Sequence, residues 1–139
     1  MKLHSFIIME RSGHPLQEFL NEKKQKFTVK VACEVGISIT NCFEKLHNIG
    51  KVYNNLNLEN VLIQKYDQDT APRVTLINLD NCTDYLLSDG DGNNRHIPRG
   101  TEDTFRGNLM MASLNAMNYK KLSRRDDLIS LSYLLIYMI

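Results

Sequence analysis

The sequence predicts an α+β fold that is mainly helical. Two segments, 28–48 and 122–139, carry the apolar spacing of helices, the first amphipathic and the second almost entirely apolar after its first turns. Two short apolar runs, 60–64 and 73–77, are separated by a polar, turn-rich stretch, which is typical of a β-hairpin. The length of 139 residues suits one domain of ordinary size.

The N-terminal segment predicts a strand followed by a short helix. The apolar run from Phe6 to Met9 is broken by Gly13 and Pro15, as expected of a buried strand that enters a turn. Apolar residues at i, i+3, i+4 spacing within 16–20 predict a short helix after Pro15, since proline is well suited to a first helical turn.

The segment 28–48 is the clearest helix in the sequence. Thr28 is suited to its N-cap, and Gly50 to the left-handed position beyond its C-terminus. Its apolar residues fall on one stripe, which consists of Ala32, Val35, Ile39, Cys42, Phe43 and Leu46. We therefore expect one face of this helix to lie on the core.

The second half of the chain predicts a long loop and a last helix. Residues 81–107 are rich in Gly, Asp and Asn and carry no period, and a loop of that length is usually functional or mobile. Residues 122–139 predict a helix that is almost entirely apolar after Leu128. Since a helix that is apolar on all sides is normally buried, we expect this one to be enclosed by other structure.

Composition and charge narrow the class of protein. Hydrophobic residues make up 42% and charged residues 24%, a globular balance, and a net charge of +1 provides no overall field to recruit nucleic acid or acidic membranes. No signal peptide or membrane span is predicted. Three cysteines without a C-x-x-C pair (Cys33, Cys42 and Cys82) favour a reducing compartment. We therefore expect a cytoplasmic protein, with Cys33 and Cys42 as buried thiols on the long helix.

Two motifs resemble those of protein kinases. Residues 46–60 resemble the end of the long helix of the kinase C-terminal lobe followed by the catalytic loop, whose usual form is H-R-D-L-K-P-E-N. Residues 74–80 resemble the strand that leads into the D-F-G motif. The order of the predicted elements is also similar to that of a kinase C-terminal lobe.

Later features resemble the casein kinase I group. Residues 96–98, 105–107, 112–115 and 123–128 are similar, in order and spacing, to its activation segment and the start of its αF helix. Met9 resembles its gatekeeper methionine at the hinge. The resemblance implies a degenerate, pseudokinase C-terminal lobe running from the hinge to the start of αF, with the N-terminal lobe and the last helices expected to be absent.

The resemblance divides the chain into parts of a single partial kinase-like domain. These parts are a strand and hinge at 1–14, helices like αD and αE at 15–50, a degenerate catalytic loop and hairpin at 51–80, an activation-segment-like loop at 81–115, and an αF-like helix at 122–139.

At the catalytic positions the resemblance implies lost chemistry. Asn55 stands where the catalytic aspartate accepts the substrate proton, Asn57 where a lysine contacts the transferred phosphate, and Asn78 where the D-F-G aspartate holds a metal ion. Asn54 replaces the arginine that pairs with an activating phosphate. Only Asn60 matches a metal ligand, and one neutral amide does not suffice for Mg²⁺. We expect no functional catalytic residue and no metal site.

The nucleotide positions are vestigial by the same resemblance. Met9, Leu62 and Asn60 match residues that surround ATP and its metal in the family. ATP and Mg²⁺ are thus implied by the family alone, and we expect neither to bind, because no Gly-rich phosphate loop precedes Met9 in this sequence.

Packing positions are retained. Asp127 matches the αF aspartate that anchors the backbone of the catalytic loop, and Arg124 and Arg125 match structural residues of the same motif. Tyr53 and Leu79 match positions in the packed spines of the family. This pattern is what selection for shape alone would leave.

Basic residues form two clusters with two interpretations. The lysines within 23–26, and the group Lys120, Lys121, Arg124 and Arg125, are either a patch for an acidic partner or the solvated ends of loops and helices. The second explanation is the commoner one.

Together these residues predict a non-catalytic scaffold or interaction subunit of a larger assembly, cytoskeletal or otherwise facing the cytosol. Protein partners are expected to cover Leu128 to Ile139 and the strand from Phe6 to Ile8, because both are strongly apolar. One alternative is a fragment of a casein kinase I-like serine/threonine kinase, which transfers phosphoryl groups from ATP to protein. Another is a nucleotide-sensing pseudokinase.

Overall fold

The computed structural model describes residue 8 and residues 10–23, 26–64, 72–89 and 93–139. The helices are α1 (Leu16–Lys23), α2 (Val29–Asn48), α3 (Leu114–Met117) and α4 (Arg124–Met138). The strands are β1 (His14–Pro15), β2 (Lys51–Val52), β3 (Val61–Ile63), β4 (Val74–Leu76), β5 (Thr83–Asp84), β6 (Leu86–Ser88) and β7 (Asn94–His96). Single turns of 3-10 helix lie at Leu79–Asn81 and Leu109–Met111. This mixture, with helix in the majority, is the predicted α+β class.

The first described strand is later in the chain than predicted. Phe6, Ile7 and Met9 of the predicted strand lie outside the described residues, and Ile8 is exposed and has no regular secondary structure. The predicted short helix follows Pro15 directly as α1, although Pro15 is the last residue of β1 and does not lie within the first helical turn. Because proline cannot donate a hydrogen bond to a sheet, it is restricted to positions such as this edge strand.

A three-stranded antiparallel sheet contains β1, β3 and β4, with β3 in the middle. β3 and β4 are the predicted hairpin, in which Val61 lies opposite Leu76 and Ile63 opposite Val74. Gly13 approaches this sheet with a φ of +141°, and a Cβ at that position would lie 2.5 Å from the carbonyl oxygen of Ile63. Only glycine fits there without displacement of the backbone.

α2 is the predicted long helix, with the predicted caps. Thr28 Oγ1 accepts a hydrogen bond from the N–H of Val31 at 3.4 Å, and Gly50 has a φ of +80°. Cys42 and Leu46 are half-buried. The fully buried residues of the helix are Ala32, Val35, Gly36, Ile39 and Phe43, which confirms the predicted stripe.

The two cysteines of α2 differ in exposure. Cys33 is exposed, so the prediction that both thiols are buried is wrong. It follows Ala32 directly and therefore lies about 100° around the helix from the buried stripe. Cys42 is half-buried, with its Sγ 3.6 Å from the carbonyl oxygen of Val74. Burial, partly opposed by the charge of Lys45, raises the pKa of the Cys42 thiol.

The core lies between α2 and α4 and extends to the sheet. α4 packs closely on α2 at Gly36, where a Cβ would lie 3.2 Å from both terminal methyl carbons of Leu135. Large side chains that are fully buried in this core are Leu16, Ile39, Phe43, Tyr53, Val61, Leu134 and Met138. Burial of one such aliphatic side chain contributes about 1.5–3 kcal/mol.

α4 has one buried face although its sequence is apolar on nearly all sides. It begins at Arg124, two residues after the predicted start, because the N–H of Ser123 donates to Asp126 Oδ2 at 2.9 Å in a capping arrangement. Its buried apolar residues are Leu131, Leu134 and Met138, and its exposed ones are Leu128, Tyr133, Ile136, Tyr137 and Ile139, the last at the C-cap. The expectation of a helix enclosed on every side is therefore met on one face only. None of the described helices is both long and apolar enough to cross a membrane.

Residues 81–107 are not the structureless loop that the sequence predicts. β5 pairs antiparallel with β2, and β6 pairs antiparallel with β7. The short helix α3 follows, and its N-cap residue Ser113 accepts a hydrogen bond through Oγ from the N–H of Ala116 at 3.2 Å. Each of these elements has only two to four residues. Hydrophobic period is legible only over longer segments, so it could not reveal them.

Candidate functional site

A buried carboxylate holds the loop that follows β2. Asp127, in the first turn of α4, is 1% exposed. Its Oδ2 accepts hydrogen bonds from the Tyr53 N–H and from His47 Nε2, and its Oδ1 accepts one from the Asn54 N–H, all at 2.8 Å. Because a buried charge is costly unless it is hydrogen-bonded, these three bonds compensate the carboxylate and fix the loop backbone. The two bonds from the backbone N–H groups of Tyr53 and Asn54 are of the kind that the kinase resemblance implies for Asp127.

His47, near the end of α2, completes this anchor, a role that no sequence motif indicates. Its ring stacks on Phe43 with the centroids 5.7 Å apart, and it meets Tyr85 edge-on at 6.2 Å. The Tyr85 hydroxyl donates to the His47 carbonyl oxygen at 2.7 Å. His47 and Asp127 are 80 residues apart, so no local pattern connects them.

Tyr53 ties the start of the loop to the end of β4. Its side chain is fully buried, and its hydroxyl donates to the carbonyl oxygen of Ile77. Burial, with the neighbouring Cys82 and Asp127, raises the pKa of Tyr53. The phenol is therefore a neutral donor that holds the segment just before Asn78.

Asn54 connects the loop to β5 and to the segment that precedes α3. Its φ is +64°, and its Nδ2 donates to the Asn81 carbonyl oxygen and to Thr83 Oγ1, both at 2.9 Å. Gly107 has a φ of +100° and approaches the Asn54 carbonyl oxygen closely. A Cβ on Gly107 would lie 2.1 Å from that oxygen. Asn54 thus has a positional role in the loop.

Two of the predicted catalytic positions are occupied in the loop's own hydrogen bonding. Asn57 Oδ1 accepts from the N–H groups of Glu59 and Asn60, each at 2.9 Å. The carbonyl oxygen of Asn55 accepts from Asn60 Nδ2 at 3.0 Å and from Asn57 Nδ2 at 3.4 Å. Short polar side chains often satisfy neighbouring backbone groups in this way. The side-chain amides of the loop therefore satisfy backbone groups of the same loop.

The two expected metal positions hydrogen-bond to each other. Asn78 has a φ of +56° and lies directly before the 3-10 turn at Leu79–Asn81, and its Nδ2 donates to Asn60 Oδ1 at 2.6 Å. Asn60 is 4% exposed, and both ends of its side chain have partners. Mg²⁺ prefers carboxylates and phosphates in near-octahedral geometry. A neutral amide pair whose oxygen already accepts a short hydrogen bond does not fit this ion.

Neutral groups dominate the chemistry of this site. An amide can donate and accept hydrogen bonds but cannot take up a proton near neutral pH. In the part of the chain that the structure describes, no group of three or more His, Cys, Asp or Glu side chains is arranged to hold a metal ion. The arrangement is suited to fixing a backbone conformation.

Of the residues expected around a nucleotide, Asn60 is buried in the loop. Leu62 is half-buried in β3, and Met9 lies outside the described residues. Leu79, expected in a packed spine, is 52% exposed. That expectation is wrong because Leu79 is the first residue of a 3-10 turn, which leaves its side chain at the surface.

Asp126, which the sequence reasoning did not single out, joins α4 to the segment before it. Its Oδ1 accepts from Ser113 Oγ at 2.7 Å and from Asn115 Nδ2 at 2.9 Å. The spacing of Ser123 and Asp126 is a capping-box signal that could have identified it.

The two arginines of the same motif point to different partners. The Arg124 guanidinium lies 5.0 Å from the centroid of the Tyr85 ring, a cation–π contact. Arg125 Nε lies 3.5 Å from Asp126 Oδ2. Both arginines therefore contribute to the frame around α4.

Comparisons with known proteins find casein kinase I relatives that match nearly the whole chain. No family model matches the chain. A probable casein kinase I homolog from Encephalitozoon cuniculi is 31% identical over 134 residues, covering 96% of this chain and 39% of that protein. Casein kinase I homolog 1 of Saccharomyces cerevisiae is 25% identical over 137 residues, 99% of this chain and 25% of the relative. A casein kinase 1-like protein of Oryza sativa is 28% identical, over 96% of this chain and 18% of the relative.

The fold and these similarities define a chain related to the protein kinase superfamily. Within that superfamily, its relationship is with the casein kinase I-like group. The chain spans less than two fifths of the length of these three relatives.

Proposed function

We propose that this chain is a non-catalytic, pseudokinase-like scaffold or interaction module. The observation that carries the proposal is the 2.6 Å hydrogen bond from Asn78 to Asn60, because it closes the two positions where a kinase holds its metal. Phosphoryl transfer depends on metal ions and positioned charges to neutralise the phosphates. An amide pair supplies neither.

The general base is also missing. Asn55 stands at the position of the catalytic aspartate, and an amide accepts no proton from a substrate hydroxyl. General-base catalysis typically contributes about 10²–10⁴-fold to a rate. With Asn57 also replacing the phosphate-contacting lysine, three separate contributions to transfer are lost.

The same residues support a proposal that magnesium ATP does not bind. A metal ion would have to displace the Asn78 amide from Asn60 and then rely on neutral oxygens. Mg²⁺ gives up its water reluctantly, and amide oxygens are weak compensation. We therefore propose no resident cofactor at this site.

The hydrogen bonds that hold the loop favour a role in presenting a fixed surface to a binding partner. Asp127 and Tyr53 hold the loop backbone, and His47 supports Asp127, through buried or partly buried hydrogen bonds that need no ligand. A partner could therefore recognise a preformed surface without nucleotide.

The exposed face of α4 is the surface we propose for a protein partner. Ile136 is 67% exposed, Leu128 49% and Ile139 52%. Exposed apolar side chains that form a patch mark interfaces or sites of aggregation. A helix of the partner packed along this face would bury them, and the segment from Phe6 to Ile8 is the proposed second contact.

A radiolabelled phosphoryl-transfer assay tests the proposal. The natural full-length protein is incubated with magnesium ATP and casein, beside its Asn60→Ala variant and an active casein kinase I. We expect the protein and its variant to give the same background. Turnover that Asn60→Ala abolishes would instead support the alternative, a working casein kinase I-like serine/threonine kinase, which the names of the relatives favour.

A further inference from the structure

A small pocket lies between the loop that follows β2 and the segment that precedes α3. Its lining includes Asn54 and Thr83 on one side, and Thr104 and Arg106 on the other. The pocket leaves about 10 Å³ of free space. That is about the room that one water molecule needs, and it is too little for a larger ligand.

Two polar atoms of side chains that line this pocket have no hydrogen-bond partner among the described residues. They are Asn54 Oδ1 and Arg106 Nε, and both atoms are shielded from solvent. The first is an acceptor and the second a donor. A buried polar atom without a partner is unfavourable, and native proteins normally satisfy such atoms with protein groups or with ordered water.

The hydrogen bonds of Asn54 determine which end of its amide lacks a partner. Its Nδ2 donates to the Asn81 carbonyl oxygen and to Thr83 Oγ1, both at 2.9 Å. An amide turned by half a rotation would place its oxygen against the Asn81 carbonyl oxygen, which is also an acceptor. The end without a partner is therefore the acceptor Oδ1.

The backbone on both sides of Arg106 is fixed. Phe105 packs against a small buried cluster that includes Leu122. Gly107 approaches the Asn54 carbonyl oxygen so closely that a Cβ would lie 2.1 Å from it. The backbone that carries the Arg106 guanidinium is therefore held against the loop.

We propose that one ordered water molecule occupies this pocket, where it donates a hydrogen bond to Asn54 Oδ1 and accepts one from Arg106 Nε. Water fits this pair because it can donate and accept at once, and it bridges protein groups almost as well as a direct hydrogen bond. Glu102 and Lys120 also line the pocket. An anion would be repelled by Asn54 Oδ1 and Glu102, and a cation by Arg106 and Lys120.

This water links the loop after β2 to the segment that leads to α3. Asn54 stands at the position for which the kinase resemblance implies an arginine that pairs with a phosphate. Here the guanidinium comes from Arg106, on the other segment, and the link through water requires no phosphorylated residue. The water site goes beyond the proposed function and does not depend on whether the catalytic loop is inactive.

A high-resolution crystal structure of the natural full-length protein, grown in the presence of sodium bromide, tests the site directly. We expect density for one water at about 2.7–3.2 Å from both Asn54 Oδ1 and Arg106 Nε, without an anomalous bromide signal. A bromide peak in the pocket would overturn the proposal in favour of an anion site. A direct hydrogen bond between the two side chains, or a pocket without density, would also overturn it.

A matched pair of variants measures what the bridge contributes. Arg106→Met keeps the aliphatic stem and removes the donor. We expect Tm to fall by about 3–10 °C in circular dichroism melts, the scale of one buried acceptor that loses its partner in a protein of this size. Arg99→Met makes the same change at an exposed position and should leave Tm nearly unchanged. Equal shifts would contradict the bridge.

A double-mutant cycle tests whether the two side chains act through the same water. Asn54→Gly removes the amide, and glycine adopts the φ of +64° at this position without strain. Arg106→Met should then lower Tm less in the Asn54→Gly background than in the natural protein. Additive shifts would contradict the bridge, and if a variant fails to fold, the crystal structure of the natural protein decides.

Discussion

At the scale of single residues, Asp127 organises the loop through three hydrogen bonds to a carboxylate that is almost fully buried. Asp127→Asn keeps the shape of the side chain but replaces one acceptor oxygen with an NH2 group. That group would face the N–H donors that now bind Asp127. We expect a loss of about 2–4 kcal/mol in the free energy of unfolding, measured in urea. Asp84→Asn, which removes only a surface pair with Lys51, should cost less than about 1 kcal/mol. Equal losses would contradict the anchoring role.

Gly107 is the second residue on which the loop depends. Gly107→Ala adds a Cβ at a φ of +100°, 2.1 Å from the Asn54 carbonyl oxygen. The backbone must move to relieve this contact. We therefore expect the free energy of unfolding, measured by heat or urea, to fall by at least about 2 kcal/mol. Gly100→Ala is the control, since its nearest neighbour is the flexible Lys121 side chain at 3.3 Å. A Gly107→Ala protein as stable as the control would show that the approach to Asn54 is not required.

At the scale of elements, the two faces of α4 should respond differently to the same kind of truncation. Leu134 is fully buried in the core and Ile136 is 67% exposed. Leu134→Ala should cost about 2–5 kcal/mol of unfolding free energy, because it leaves a cavity. Ile136→Ala should change stability by no more than about 0.5 kcal/mol. Comparable losses, read from paired urea melts, would mean that both faces are packed.

The elements also show how far the sequence could predict the fold. α2, the β3–β4 hairpin and α4 were predictable because each has a run long enough to show its period or its flanking turn residues. β5, β6, β7 and α3 were not, because two to four residues carry no legible period and their pairing depends on distant segments.

Residues of the candidate site were predictable only where they fall within a motif that resembles one of the kinases. Asn55, Asn57 and Asn78 followed from the kinase resemblance. The contact of His47 with Asp127 crosses 80 residues. It depends on the packing of α2 against α4, which no local pattern contains.

At the scale of the whole molecule, the exposed face of α4 should govern association. Ile136→Glu places a charge on that face and should weaken partner binding in pull-down measurements. Ile37→Glu, on the exposed face of α2 where Ile37 is 63% exposed, is the matched control and should have little effect. Equal effects of the two substitutions would remove the case for an interface on α4.

If Asn60 and Asn78 hold each other rather than a metal-bound nucleotide, magnesium ATP should not stabilise the protein, and thermal denaturation with and without magnesium ATP tests this. A ligand that binds only the folded state at 100 times its Kd adds about 2.7 kcal/mol, which a melt detects easily. We expect no magnesium-dependent change in Tm at millimolar ATP, while an active casein kinase I measured in parallel shifts. A clear rise in Tm that requires magnesium and is lost in Asn78→Ala would contradict the claim.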